Sequence, residues 1–312
     1  MKQFISRNAL IILLGLLCLG LAVFTPSFIS DTNLTNLARR VCAVGIVAVG
    51  ETLVIITAGI DLSVGSVAAF SAVVAGKTIH DFGVPVPLGI IAGAATGLFC
   101  GLINGVLSTK GRIPSFIVTL GMMLAARGGA LLLTGGSRIS GLPEDFRDLG
   151  GTYDWRVPVV VTLLIVGLFA AMLRYMRLGR EIYAAGGNLQ GARLSGIAVD
   201  RCRIAAFALC GMLAGFAGVL LASRTGVADP TMAEGMELDS IAACVVGGAS
   251  LMGGEGGAVG ALVGAVLIGM LINICQLNGM SDEWQRIVVG VLIVVLVYID
   301  NMRKRRAGKL KD

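Results

Sequence analysis

Few side chains in this sequence could carry catalytic or metal chemistry. The chain has one histidine, His80, which argues against histidine-based catalysis and a multi-histidine metal cage. Its seven cysteines show no C-x-x-C spacing and mostly lie inside apolar runs, so we interpret them as small buried hydrophobic residues. We find no nucleophile–base pair and no metal-ligand cluster. The sequence therefore predicts no catalytic residue, no metal, no cofactor and no enzymatic activity of its own.

A phosphate-binding loop is also missing from the sequence. Residues 75–78 end like G-x-x-x-x-G-K-[ST], but Ser71 occupies the opening glycine position and no strand precedes the segment. The glycine cluster at 247–257 has no G-x-G-x-x-G in register and is typical of a tight turn. If ATP is used, it must bind another subunit.

Four polar residues fall inside apolar stretches: Glu51, Arg127, Asn104 and Asn273. An ionisable side chain in a membrane span costs about 2.5–3.5 kcal/mol on insertion scales, so it usually faces a cavity or a partner. For Glu51 and Arg127, a role in transport, an ion pair that fixes two helices, and snorkelling all remain open. For the two asparagines we predict interhelical hydrogen bonds.

Asp61 and Ser63 stand at a break between two apolar segments. Both can accept hydrogen bonds from the first free N–H groups of a following helix, so an ordinary N-cap explains them without any ligand. Caps at broken helices nevertheless often border binding sites.

The elements that position these residues are membrane helices. The chain is 56% hydrophobic and 14% charged with a mean hydropathy of +0.88, whereas a soluble domain has about 25% charged residues. The 45 glycines indicate close helix packing, because small residues let neighbouring helix backbones approach. The composition thus predicts an all-α polytopic membrane protein.

We predict ten spans, the first being an uncleaved helix because an A-x-A-like cleavage site is missing. They lie near 9–24, 38–57, 62–79, 86–108, 113–134, 157–175, 204–223, 238–252, 257–275 and 285–302. With both termini in the cytoplasm, most of the 25 lysines and arginines fall on the inner side, as the positive-inside rule requires. The net charge of +6 then reflects loops facing an anionic lipid leaflet, and nucleic acid need not be invoked.

The two halves of the chain echo each other. Residues 59–70 and 235–244 both place an acid and a serine before a small-residue segment, and residues 101–104 and 270–273 end in Leu-Ile-Asn. An inverted repeat of five-helix halves, 1–135 and 157–302, would produce this pattern and would place the solute path between short helices. Resemblance through composition alone is the alternative. The repeat makes the following residues candidates for the path: Glu51, Asp61, Ser63, Asn104, Asp239 and Asn273.

The longest inner segment, 176–203, is the expected contact with a cytoplasmic partner. Asn188 is positioned to cap a short helix over 189–195, and Gly196 to end it. A short exposed helix of this kind suits insertion into a partner's groove. The residues predicted to couple to that partner are Gly187, Asn188, Ala192, Arg193, Ser195 and Gly196.

Four sequence blocks, in order along the chain, carry a family resemblance. They are Gly-Ile-Asp-Leu-Ser-Val-Gly at 59–65, Ala-Gly-Gly-Asn at 185–188 with Arg-Leu-Ser-Gly-Ile at 193–197, Glu-Leu-Asp-Ser-Ile-Ala-Ala at 237–243, and Val-Gly-Gly-Ala-Ser-Leu at 246–251. With them the chain resembles the membrane subunit of bacterial ABC importers for ribose, xylose, arabinose and galactosides. The loop departs from the Glu-Ala-Ala opening of other ABC permeases, since it has Tyr183-Ala-Ala.

The resemblance implies a multi-pass inner-membrane permease for a monosaccharide or related polyol. It also implies a second permease chain, cytoplasmic ABC ATPase subunits contacted by the 188–196 helix, and a periplasmic sugar-binding protein facing loops 135–156 and 225–237. The alternative is a stand-alone ion-coupled transporter that uses Glu51 or Asp61 as its proton or sodium site. A membrane-embedded enzyme has little support because no catalytic constellation is present.

Overall fold

The computed structural model describes residue 20 and residues 26–306 of the 312-residue chain. Within these residues the chain is helical, apart from turns and an isolated bridge between Ile139 and Ala228. The predicted span 9–24 lies outside the described residues, except for Gly20. The described helices are α1 (Asp31–Ile56), α2 (Val64–His80), α3 (Val86–Thr109), α4 (Ser115–Thr134), α5 (Glu144–Leu149), α6 (Arg156–Tyr175), α7 (Arg177–Gly187), α8 (Leu189–Leu194), α9 (Val199–Thr225), α10 (Met236–Val246), α11 (Ala258–Leu277) and α12 (Asp282–Arg306).

Several helix ends follow directly from local sequence. Ser30 caps α1, because its side-chain oxygen accepts the N–H of Asn33. Prolines 85 and 114 have extended backbone conformations and immediately precede α3 and α4. Gly135 ends α4 and Gly226 ends α9 in the left-handed conformation, which favours glycine.

Five of the described helices are long and apolar enough to cross a membrane. They are α3, α4, α6, α9 and α11. The apolar helix α2 has 17 residues, and α10 has only 11, so at 1.5 Å per residue α10 is roughly 16 Å long. The predicted span 238–252 is therefore too long, because the helix ends at Val246 where Gly247 and Gly248 begin a turn. The total of ten spans and the side on which the termini lie stay predictions.

A glycine stripe on α3 forms a close helix contact. Glycines 89, 93, 97, 101 and 105 are buried, whereas much of the rest of α3 is exposed. They pack against backbone of α2 and α9, and a Cβ at Gly97 would overlap the carbonyl oxygen of Gly211. The prediction that glycine serves close helix packing is confirmed at this contact.

Helices α1 and α9 each pack against the other half of the chain. Helix α9 packs along α3, α2 and α1, while α1 packs against α11 and α10. Within the halves, α2 contacts α3 and α4, and α10 contacts α11 and α12 in the same way. The same pairs of helices are thus in contact when α1–α4 are exchanged with α9–α12, although α9 packs far more extensively on α3 than α1 does on α11.

Candidate translocation site

The break between α1 and α2 is held by side chains that accept its backbone N–H groups. The N–H of Ile60 donates to Ser115 Oγ (3.3 Å), that of Asp61 to Glu51 Oε1 (3.1 Å), and that of Leu62 to Thr119 Oγ1 (3.1 Å). Interrupted backbone in a membrane must find partners inside the protein, since an unsatisfied group there costs several kcal/mol. Ser115 and Thr119 were not among the predicted site residues, because their role depends on the packing of α4.

Around this break lies a closed group of side chains, here called the buried polar cluster: Glu51, Asp61, Ser63 and Asn104. Asp61 Oδ1 accepts the N–H (2.9 Å) and the hydroxyl (2.6 Å) of Ser63. Asn104 Nδ2 donates to Ser63 Oγ (3.0 Å) and to Asp61 Oδ2 (3.4 Å). Each of the four side chains is at most 1% exposed. The cluster therefore connects the end of α1, the start of α2 and the end of α3.

The predicted N-cap is only partly right. Asp61 accepts a backbone N–H at the start of the helix, but the donor is Ser63. Helix α2 begins at Val64, and the side chain of Ser63 makes no capping bond because its hydroxyl donates to Asp61. The predicted interhelical bond is confirmed for Asn273, which joins α11 to α1. Asn104 instead bonds to Ser63 and Asp61 in the break before α2.

A polar cavity of about 570 Å³ lies at the opposite end of α1. Asn273 lines it and forms a reciprocal amide pair with Asn33, with N–O distances of 2.7 and 3.1 Å. The remaining lining combines charges of both signs, amides and apolar groups, among them Asn36, Leu37, Arg40, Leu221, Arg224, Glu234, Asp239 and Gln276. The two arginines and two acids balance, so the cavity is rich in hydrogen-bonding groups without a dominant charge.

The six predicted path residues thus fall in two places. Asp239 and Asn273 line the polar cavity, whereas Glu51, Asp61, Ser63 and Asn104 form the buried polar cluster. Sequence reasoning missed Asn33, because it lies ahead of the apolar part of α1 and only the fold brings it to Asn273.

Glu51 and Arg127 do not pair with each other. Glu51 accepts from the N–H of Asp61 and faces the thiol of Cys210 at 3.7 Å. Arg127 Nη1 donates to the carbonyl oxygens of Pro230 (2.6 Å) and Met232 (3.0 Å). Of the alternatives weighed for these residues, an ion pair between the two is therefore wrong.

The cysteines and His80 are the remaining side chains that could carry chemistry. The six cysteines in the described range are buried and free, as predicted, and Cys18 lies outside it. His80 is the last residue of α2 and contacts Asp81 at 2.8 Å at the exposed helix end.

The expected coupling segment forms two helices, α7 and α8. Asn188 caps α8, with Oδ1 accepting the N–H of Gly191 at 2.8 Å, and Gly196 follows with φ +78°. The predicted cap and stop are confirmed, with the helix one residue shorter than expected. Five of the six predicted coupling residues are exposed and Ala192 is buried. Helix α7 was not predicted, although Leu178, Ile182 and Ala185 show helical spacing.

Helix α7 is in backbone contact with the end of α1, before the break that leads to α2, and with the turn that follows α10. Gly186 packs directly on the carbonyl of Ile56, and the N–H of Gly254 donates to that same oxygen at 2.8 Å. Tyr183 donates to the carbonyl of Gly256 at 2.7 Å, and burial raises the pKa of Tyr183. The segment 247–257 is the tight turn that the sequence predicted.

Comparison with known proteins covers almost the whole chain. The family model described as branched-chain amino acid transport system / permease component matches residues 33–297. The chain is 41% identical to the ribose import permease protein RbsC of Escherichia coli K12 over 305 residues, covering 96% of this chain and 94% of the relative. It is 37% identical to the L-arabinose ABC transporter permease protein AraH of Azospirillum brasilense over 312 residues (99% and 92%). Identity to the xylose transport system permease protein XylH of E. coli K12 is 35% over 344 residues (90% and 88%).

No solved structure matches this chain. One assignment follows from the long match to the family model and from the identity to three permeases over nearly their full lengths. This chain belongs to the branched-chain amino acid transport system / permease component family.

Proposed function

We propose that this chain is the membrane subunit of an ABC importer that moves a monosaccharide or related polyol into the cytoplasm. The observation that carries the proposal is the near full-length similarity to permeases whose names specify ribose, L-arabinose and xylose. Although the family description mentions branched-chain amino acids, these three relatives favour a sugar. The proposal places the chain in a bacterial inner membrane.

The polar cavity supports a sugar as the solute. Side-chain amides both donate and accept, so Asn33, Asn36, Asn273 and Gln276 suit hydroxyl groups. Leu37 offers apolar surface for the C–H face of a sugar ring. We assign Asp239 and Asn273 to the outer mouth of the path, and the positive-inside rule supports this orientation.

Contact with a cytoplasmic ATPase is assigned to α8. Its residue Leu194 is 91% exposed, and Leu189 is also exposed, so this short helix offers apolar side chains to a partner's groove. Movement of α8 would pass to α7 and from there to Ile56 and Gly254, which α7 touches through its backbone. Both halves of the chain would thus respond to the same partner.

The further partners follow from the same proposal. They are a second permease chain, a periplasmic sugar-binding protein and the surrounding lipid. We assign the loops 135–156 and 225–237 to the binding protein. We also propose that 1–135 and 157–302 are inverted repeat halves, which the exchange-symmetric helix packing supports.

Reconstitution tests the importer directly. The tagged chain is purified in mild detergent, co-purifying subunits are identified, and uptake of ribose, arabinose and xylose is measured in liposomes with ATP. We expect an ATPase subunit whose removal abolishes uptake. Gradient-driven uptake by this chain alone would instead support the ion-coupled alternative through Glu51 or Asp61.

Variants test the cavity and the orientation. Asn273→Ala should reduce ATP-driven uptake, whereas Gly167→Ala should not, because no heavy atom of the described residues lies within 4 Å of a Cβ added there. A cysteine placed at Asn188 should react with an impermeant reagent from the cytoplasmic side only. Labelling from the periplasm would refute the orientation.

A further inference from the structure

The polar cavity and the buried polar cluster are built from corresponding elements. The cavity lies among the start of α1, the end of α9, the start of α10 and the end of α11. The cluster lies among the end of α1, the start of α2 and the end of α3, with the start of α9 beside it, where Arg203 donates to the carbonyl of Thr57 at 3.4 Å. Exchanging the two halves converts one set of elements into the other.

Asparagines hold similar places in the two sets. Asn104 lies near the end of α3, and Asn273 lies near the end of α11. Asn273 lines the polar cavity, but Asn104 is fully buried against Ser63 and Asp61. One set is thus open while its counterpart is closed.

The closed set is not fully satisfied. The side-chain oxygen Oδ1 of Asn104 is buried without a hydrogen-bond partner among the described residues. A buried amide oxygen without a donor destabilises the folded protein, so such a group calls for an explanation. A sugar hydroxyl would supply the missing donor if the cluster opened.

The expected coupling segment touches this closed set. Gly186 of α7 packs on the carbonyl of Ile56, five residues after Glu51 and five before Asp61. Because this contact is between backbones, a displacement of α7 moves the break that carries Asp61 and Ser63. The cluster is therefore the polar site best placed to respond to an ATPase.

We propose that the buried polar cluster is the closed, inward-facing half of the sugar path. When it opens, the Asn104 amide, the Ser63 hydroxyl and the Asp61 carboxylate bind hydroxyl groups of a neutral sugar, while the polar cavity closes. This inference rests on the proposed function and adds an inner site to the outer one. Two polar sites that open alternately from opposite sides satisfy the requirement of transport without a continuous pore.

Cysteine accessibility in the assembled complex tests the proposal. Ser63→Cys reports on the cluster, Asn36→Cys on the cavity, and Ser71→Cys, fully buried elsewhere on α2, is the control. A small water-soluble thiol reagent is applied to nucleotide-free, ATP-bound and vanadate-trapped complex. In one of these states we expect Ser63→Cys to react about tenfold faster or more, while Asn36→Cys slows and Ser71→Cys does not change.

Sugar protection tests the ligand class in the state where Ser63→Cys reacts. Ribose, arabinose or xylose at millimolar concentration should slow labelling of Ser63→Cys about twofold or more, and an equal concentration of sodium chloride should not. Asn104→Cys provides a second probe should Ser63→Cys fail to assemble. Absence of protection by all three sugars would overturn the inner sugar site.

The ATPase activity separates this inference from the proposed function. A complex whose ATPase is stimulated by a sugar-loaded binding protein supports the importer whatever the labelling shows. If both cluster probes in such an active complex stay as unreactive as Ser71→Cys in every state, the cluster is a permanent structural feature. If the labelling rates of the cluster and cavity cysteines instead rise and fall together from state to state, alternating opening would also be refuted.

Discussion

Replacing Gly97 by alanine should destabilise the contact between the two halves of the chain. An added Cβ would overlap the carbonyl oxygen of Gly211 and lie 2.8 Å from Cα of Gly215, where ordinary contacts begin at 3.4 Å. Both neighbours are backbone atoms of α9, so no side chain can rotate away. Helices α3 and α9 must therefore separate by at least half an ångström at this point.

The size of the effect follows from two opposing contributions. Overpacking a close contact costs about 1–3 kcal/mol, and a gap of about 0.5–1 Å forfeits about a quarter to a half of the dispersion attraction between the separated atoms. Alanine gains about 0.5–1 kcal/mol over glycine in a helix interior. We therefore expect a net loss of about 0.5–2 kcal/mol, which lowers the unfolding midpoint by roughly 1–8 °C in a chain of this size.

Thermal unfolding in one detergent at a fixed scan rate measures the change, with Gly121→Ala as the matched control. Gly121 lies in α4, and within the part of the chain that the structure describes no heavy atom is within 4 Å of an added Cβ. Its alanine variant should therefore unfold at or slightly above the wild-type midpoint. A Gly97→Ala protein that unfolds no lower than Gly121→Ala would refute the close-packing argument.

Three further predictions concern segments outside the α3–α9 contact. Asn188→Ala should destabilise α8 by about 1 kcal/mol and speed hydrogen exchange of its amides, whereas Asn188→Ser keeps a capping oxygen and should not. Partial burial raises the pKa of Asp229, but hydrogen bonds from Thr231 and pairing with Arg138 at 2.7 Å outweigh it and leave the pKa below its ordinary value. The stabilisation by these contacts is complete above pH about 4 and is lost as the pH falls through the lowered pKa. Hydrogen exchange of the amides in 229–232, corrected for intrinsic rates, should therefore rise as the pH falls through this range. The Asp229→Asn variant should not show this pH dependence. Arg127→Met should free the carbonyls of 230 and 232, which removes bonds of about 1.5–3 kcal/mol each, and proteolysis of the 226–235 loop should quicken relative to wild type.

The amino-acid sequence alone is enough to predict the class of the protein and many of its local features. Apolar run length and the glycine content predict packed membrane helices without reference to any neighbour, because both depend on hydrophobicity and side-chain size. The cap at Asn188 and the turn at 247–257 depend on residues within a few positions, so they are readable from the sequence. The echo around Asn104 and Asn273 is likewise visible in the order of residues alone.

Tertiary structure decided which polar residues share a site. Glu51, Asp61 and Asn104 were grouped with Asp239 and Asn273 as one path, yet packing places them at opposite ends of α1, which is roughly 39 Å long. The partners Asn33, Ser115 and Thr119 carry no local signal, since their roles come from α11 and from the break before α2. Long-range packing and backbone hydrogen bonding set these features, and neither can be read from residue type and spacing.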